Sequence, residues 1–273
     1  MSAKVTYKKA PLIELIVEIR WTVQVLGLPG GPPIVSGSSS VFDIWFHGLA
    51  GALRADGFLE LERLVPHDSP VFAYQPVFRF KKPEVPFPIY QFGHGIFTIN
   101  AGPPNYISWD DFRPQVESGL QALIAHKPAA ANVEDFSVAS LRYIDAFREE
   151  LRSGMSNFAF MRDALGVTIG MPAGLLDFAE SEDQITPTFA LRFPLKEEDK
   201  SSLTFQLAVG RIGRAATNDT IMDTTYSVNR SLTVNTDEVL TVLDNAHDVI
   251  HGWFTRLTGQ LHEKMIPIEQ HAK

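Results

Sequence analysis

The sequence predicts an α+β protein made of two tandem related strand-helix-strand-strand-helix units, with a mostly antiparallel sheet and a long C-terminal helix. Three observations favour this fold class. Residues 12–21 alternate between polar and apolar side chains, which is typical of a half-buried strand. Residues 236–260 carry apolar side chains at helical spacing. The order of strand, helix, strands and helix repeats on either side of a small-residue linker at 127–132.

The first unit, residues 1–131, is defined by the alternation in its opening strand and by two helical stripes. In the opening strand the apolar face is formed by Ile13, Leu15, Val17, Ile19 and Trp21. Asp110 and Asp111 favour a helix start after Ser108, because carboxylates stabilise a helix N-terminus. The remaining predicted elements are a helix at 41–54, strands at 72–80 and 89–101, and a helix at 108–124.

The second unit, residues 132–273, follows the same order and packs with the first into one compact body. Asn235 offers a cap for the long final helix. The other predicted elements are strands at 136–147, 188–195, 202–211 and 221–234, a short helix at 157–165, and turn-rich connections at 28–33 and 210–219.

Composition and charge limit the function classes. The chain has 273 residues, is 45% apolar and 21% charged, and contains no Cys, so disulfides, thiolate metal sites and a Cys nucleophile are excluded. No apolar run approaches the roughly 18 residues that a membrane span needs. Residues 1–131 hold 11 basic and 11 acidic residues, whereas residues 132–273 hold 13 and 21. The sequence has no cluster of basic residues, so its charge distribution is not that of a nucleic-acid-binding protein. We expect a cytoplasmic protein without a cofactor.

The spacing of His247 and His251 is the one in the chain with catalytic potential. Two His four residues apart on a helix can bind one zinc ion, and Asp248 beside the first could activate a water molecule. However, His247 also falls on the apolar stripe with Leu243 and Ile250, which favours a packed histidine. The sequence therefore predicts no metal site. If a metal were bound, His247 and His251 would be the candidate ligands.

Four residues are candidates for ligand binding. Glu14 and Glu18 share one face of the first strand and could line a pocket, or they could be solvated or paired with Arg79 or Arg142. Arg142 and Tyr143 lie in the stretch SLRYIDAF, where alternation places them on opposite faces of a predicted central strand. An Arg on a central strand must be paired or must face a groove.

Four stretches, APLIELIVEIRW, SLRYIDAF, IMDTTYSV and VLDNAHDVIHGWFTRLT, resemble a sporadically distributed, functionally uncharacterised family of bacterial proteins. Its pattern has a PLIE-type N-terminal strand and a C-terminal LxxxH-type helix. The resemblance implies no activity, cofactor or catalytic residue, and the His247–His251 pair is not part of the pattern. The duplicated element order is also similar to that of gyrase-inhibitor-type modules, which bind small molecules in a groove between two repeats.

The first functional hypothesis is a non-enzymatic module that binds a small molecule or a protein partner at the surface between sheet and helices. The sporadic distribution of the resembled family suggests a link to mobile or defence loci. The first alternative is a metal-assisted hydrolase that uses His247, Asp248 and His251. The second alternative is a structural subunit whose exposed sheet edge forms a homodimer.

Overall fold

The computed structural model describes residues 6–26, 34–35, 40–168, 170, 172, 174, 176–195, 200–213 and 218–268. The predicted connection at 28–33 lies outside the described residues, and the one at 210–219 lies partly outside them.

One antiparallel sheet dominates the structure, which confirms the α+β class. Across the sheet the nine strands follow the order β7-β8-β9-β6-β1-β5-β4-β3-β2. Their bounds are β1 Leu12–Arg20, β2 Glu60–Arg63, β3 Pro76–Lys81, β4 Ile89–Gly93, β5 Ile96–Ala101, β6 Val138–Phe147, β7 Phe189–Pro194, β8 Ser201–Gly210 and β9 Asp219–Val228.

The central strands β1 and β6 come from the two predicted units and pair with each other. Leu141 lies opposite Val17 and Tyr143 opposite Leu15. The strands that follow β1 in the chain extend the sheet on one side, and those that follow β6 extend it on the other. The relation between the two units itself stays a prediction.

Three long helices, α1 Ser40–Ala55, α2 Trp109–Ala125 and α3 Thr236–Leu257, pack with one face of the sheet around a shared core. Ser108 and Asn235 cap α2 and α3 by accepting hydrogen bonds from backbone N–H groups of the first turn. Within the described ranges, no helix has the length and apolar character that a membrane crossing requires.

Short elements complete the described structure. The helical ones are Ala129–Ala131, Glu149–Arg152, Asn157–Ala159, Phe160–Ala164, Leu176–Phe178, Glu182–Gln184, Gly259–Leu261 and His262–Met265. The strand pairs are Thr6–Tyr7 with Pro267–Ile268, Val25–Leu26 with Ile34–Val35, and Asp135–Phe136 with Leu232–Thr233.

The prediction of one strand at 89–101 is wrong, because β4 and β5 form a hairpin there. Gly95 has φ +78°, a conformation that favours glycine, and this reverses the chain. At Gly93 a Cβ atom would lie 2.0 Å from the Gln75 carbonyl oxygen, so the backbones are too close for a side chain. β2 was not predicted, because Glu60–Arg63 has only one apolar residue to signal a strand.

The alternation of β1 is interrupted by a bulge that matters for the pocket described below. Ile144 pairs with Glu14 and Asp145 pairs with Leu12, so Ile13 is the extra residue. Sequence alternation places Leu12 on the face of Glu14, whereas the bulge turns it to the helix-covered face with Leu15.

The apolar stripe of α3 is buried over its first part. Leu243, His247 and Ile250 are buried, as the spacing predicts. Phe254 and Leu257 are only partly buried and pack against the second core cluster. α3 ends at Leu257, so His262 belongs to a separate short helix.

Candidate functional site

The strongest candidate site is a cavity of about 340 Å³ between the sheet and α3, called here the sheet–helix pocket. Strands β6 and β9 form its floor, α3 forms one wall, and the segments at 6–12 and 103–110 close the remaining sides. Its polar and aromatic lining includes Tyr7, Lys8, Tyr106, Trp109, Asp110, Tyr143, Asp145, Thr224, His247, His251 and Phe254.

A chain of side-chain hydrogen bonds crosses the pocket from the loop before α2 to α3. The hydroxyl groups of Tyr106 and Tyr143 lie 3.2 Å apart, and that of Tyr143 lies 2.9 Å from His247 Nδ1. Burial raises the pKa of both tyrosines above the ordinary value, well above it for Tyr143. Both hydroxyls therefore stay protonated at neutral pH and act as hydrogen-bonding groups rather than as phenolates.

Trp109 fixes the wall on the α2 side. Its indole stacks on the His247 ring with centroids 5.5 Å apart and an interplanar angle of 13°. Trp109 Nε1 donates to Asp244 Oδ1 at 2.8 Å, and Arg113 Nε donates to the same oxygen at 3.0 Å. These contacts join α2 to α3 at the pocket, so the wall is a rigid part of the helix packing.

Two buried polar groups on the pocket floor have no side-chain hydrogen bond to any residue that the structure describes. Asp145 is 4% exposed, and no hydrogen bond within the described part of the chain reaches its carboxyl group. Thr224 is 2% exposed, and its Oγ1 atom has no hydrogen-bond partner there either. Burial, reinforced by the negative charge of Asp223, raises the pKa of Asp145 to about 7. The carboxyl group therefore keeps its proton to a higher pH than an exposed aspartate does.

The geometry of the two histidines of α3 does not favour a zinc centre. The rings of His247 and His251 are stacked 5.7 Å apart, and His247 Nδ1 contacts the Tyr143 hydroxyl. Zinc sites in enzymes need three protein ligands and an open position. In the described ranges no group of three His, Cys, Asp or Glu side chains is placed to hold a metal ion.

Three of the four sequence candidates lie on the opposite, polar face of the sheet. Glu14 Oε1 accepts from Asn100 Nδ2 at 2.7 Å, and Glu18 forms an ion pair of 2.7 Å with Arg20. Arg142 Nε donates to Asp223 Oδ1 at 2.9 Å, and this bond raises the pKa of the guanidinium group. Each of the three is thus engaged with a neighbour on the same face.

Glu18 and Arg142 line a second, polar cavity of about 370 Å³ with Asp223 and Thr225. The sheet separates this cavity from Tyr143, so the four candidates do not form one site. The alternation in SLRYIDAF predicts that Arg142 and Tyr143 lie on opposite faces of the sheet, as they do.

Comparison with known proteins adds nothing to the geometry. No family model, curated protein or solved structure matches the chain. The resemblance to a sporadically distributed bacterial family therefore stays a prediction.

Sequence reasoning identified Tyr143, His247 and His251 but missed Tyr106, Trp109, Asp145 and Thr224 as members of the site. A signal for Asp145 was present, because it shares the apolar face of β6 with Leu141 and Tyr143. A carboxyl on such a face must be protonated or matched by a partner. The other three residues enter the site only through tertiary packing.

Proposed function

We propose that this chain is a small-molecule-binding module whose ligand occupies the sheet–helix pocket. The observation that carries the proposal is a partly open cavity with aromatic walls and a few convergent polar groups. Its volume of about 340 Å³ falls in the range of about 300–1,000 Å³ that is typical of ligand sites. The Tyr106–Tyr143–His247 chain supports it, because a fixed hydrogen-bond network can orient a bound molecule.

Binding without catalysis is the function that these contacts support best. The His247 ring is packed on Trp109 and engaged with Tyr143, so it is held as a wall. A metal-assisted hydrolase would need further ligands, and a homodimer would leave the pocket unexplained. The cytoplasmic location stays a prediction from the sequence.

A pocket-filling substitution tests the proposal. Thr224→Phe places a ring in the cavity and removes a hydroxyl that has no partner, so we expect the fold to be retained while binding is lost. A library of aromatic amines, alcohols and acids is screened by saturation-transfer NMR. We expect compounds that bind the wild type and fail to bind Thr224→Phe.

Thr225→Phe is the matched control. It lies on the same strand but lines the polar face, so compounds that bind in the sheet–helix pocket should still bind this variant. A library without binders, or binders that Thr224→Phe leaves unaffected, would contradict the proposal. Circular dichroism and urea denaturation confirm that both variants are folded.

A further inference from the structure

The floor of the sheet–helix pocket presents two acceptor groups side by side. In the β6–β9 register Tyr143 lies opposite Thr224, and Asp145 lies opposite Met222. Asp145 and Thr224 are therefore diagonal neighbours on one face, with Cα atoms about 7–8 Å apart across the two strands. A single donor group placed between them is within hydrogen-bond reach of both. Burying such groups without partners is unfavourable, and a bound donor would remove that cost.

The walls around this floor are aromatic. Tyr106, Tyr143 and Trp109 line the pocket next to the floor. Tyr7 and Phe254 also line it, and their ring centroids are 6.2 Å apart. The faces of aromatic rings attract cations as well as apolar groups. A carboxyl group with aromatic rings around it is a suitable environment for an organic cation.

We propose that the pocket binds an organic amine, whose protonated nitrogen donates to the Asp145 carboxylate and to Thr224 Oγ1 while its apolar body packs against the aromatic walls. This inference rests on the proposed function and names the ligand class. An anionic ligand would bury its charge next to Asp145. Lys8, the cationic side chain of the lining, is exposed at the rim and can remain solvated.

The state of Asp145 supports this assignment. Burial raises its pKa to about 7, and the negative charge of Asp223 adds to the effect, so the carboxylate charge is poorly compensated. A bound ammonium group would supply that compensation and favour the ionised form. The groups that face the pocket with Asp145 and also carry charge or titrate are Tyr7, Lys8, Tyr106, Asp110, Tyr143, His247 and His251, and Asp223 lies behind it on the polar face.

Three probes with a phenyl ring on a short chain separate charge from shape: phenethylamine, phenethyl alcohol and phenylacetate. Their binding to the whole chain is measured by isothermal titration calorimetry at neutral pH. We expect phenethylamine to bind at least about tenfold more tightly than phenethyl alcohol, a difference set by the Asp145 charge. Phenylacetate should bind most weakly of the three.

Two variants locate the charge partner. Asp145→Asn keeps the shape of the side chain, so it should weaken phenethylamine binding by about tenfold or more and change phenethyl alcohol binding by less than about threefold. Thr224→Val, which removes only the hydroxyl, should weaken phenethylamine binding several-fold. Glu18→Gln is the control, because it removes a carboxylate charge on the opposite face of the sheet and should leave phenethylamine binding nearly unchanged.

Equal affinities for the amine and the alcohol, or an Asp145→Asn variant that binds phenethylamine as the wild type does, would overturn the inference. In that case neutral compounds that bind in the pocket and are excluded by Thr224→Phe would leave the proposed function intact. Failure of every compound to bind there would overturn both.

Discussion

Replacing Asp145 with Asn should raise the free energy of unfolding at about pH 8 by up to about 4 kcal/mol. Burial raises the pKa of this carboxyl from an ordinary 3.8 to about 7. Each pH unit of difference between folded and unfolded pKa corresponds to about 1.4 kcal/mol. A folded pKa above the unfolded one means that the penalty grows as the pH rises from about 4 to about 7, is complete above about pH 7, and disappears below about pH 4. Asn carries no charge and avoids the penalty at every pH.

Urea denaturation of wild type and Asp145→Asn across this pH range measures the effect. The two curves of unfolding free energy should converge near pH 4 and separate progressively as the pH rises to about 8. Asp68→Asn, at an exposed loop position, is the control and should stay within about 0.5 kcal/mol of the wild type. An Asp145→Asn variant that is less stable than the wild type at high pH would show that the carboxylate has favourable partners in the fold.

Replacing Trp109 with Ala should lower the free energy of unfolding by about 3–5 kcal/mol. The indole is 3% exposed, stacks on His247 and donates to Asp244, so its loss removes apolar contacts and a hydrogen bond between α2 and α3. The same substitution removes a wall of the sheet–helix pocket. Urea denaturation measures the change in stability.

Trp109→Phe separates the contribution of the ring stacking from that of the hydrogen bond to Asp244. A phenyl ring can still stack on His247 but cannot donate to Asp244, so this variant should lose about 1–2 kcal/mol, close to the value of one hydrogen bond and some packing. A loss below 1 kcal/mol for Trp109→Ala would contradict the view that Trp109 is a structural link between the two helices.

The main elements of the fold could be predicted because buried apolar side chains recur at a regular spacing along a strand or a helix. Leu15, Val17 and Ile19 are fully buried on one face of β1, as their alternation indicates. The hairpin of β4 and β5 was missed because both strands are apolar and the reversal depends on the Gly95 backbone alone. The bulge at Ile13 was missed because it is set by pairing with β6, which has no local signal.

The candidate site was only partly predictable for the same reason. Tyr143 and His247 are 104 residues apart, and their hydrogen bond requires β6 and α3 to pack together. Tyr106 reaches the pocket from the loop before α2, and Trp109 reaches it from the first turn of α2. Asp145 could have been recognised, since a carboxyl on the apolar face of a central strand is rarely buried without a purpose in binding or catalysis. The absence of its partner became visible only with the surrounding residues in place.

The central claim is that the sheet–helix pocket receives a small molecule, and methyl NMR of isoleucine tests it most directly. Ile250 lines the pocket, Ile107 lies at its rim, and Ile16 lines the polar cavity on the opposite face of the sheet. The chain, labelled at isoleucine methyl groups, is titrated separately with phenethylamine and with phenethyl alcohol. We predict saturable shifts of the Ile250 and Ile107 methyl signals in at least one titration, while the Ile16 signal stays in place. Shifts confined to Ile16, or no saturable shift in either titration, would contradict the account.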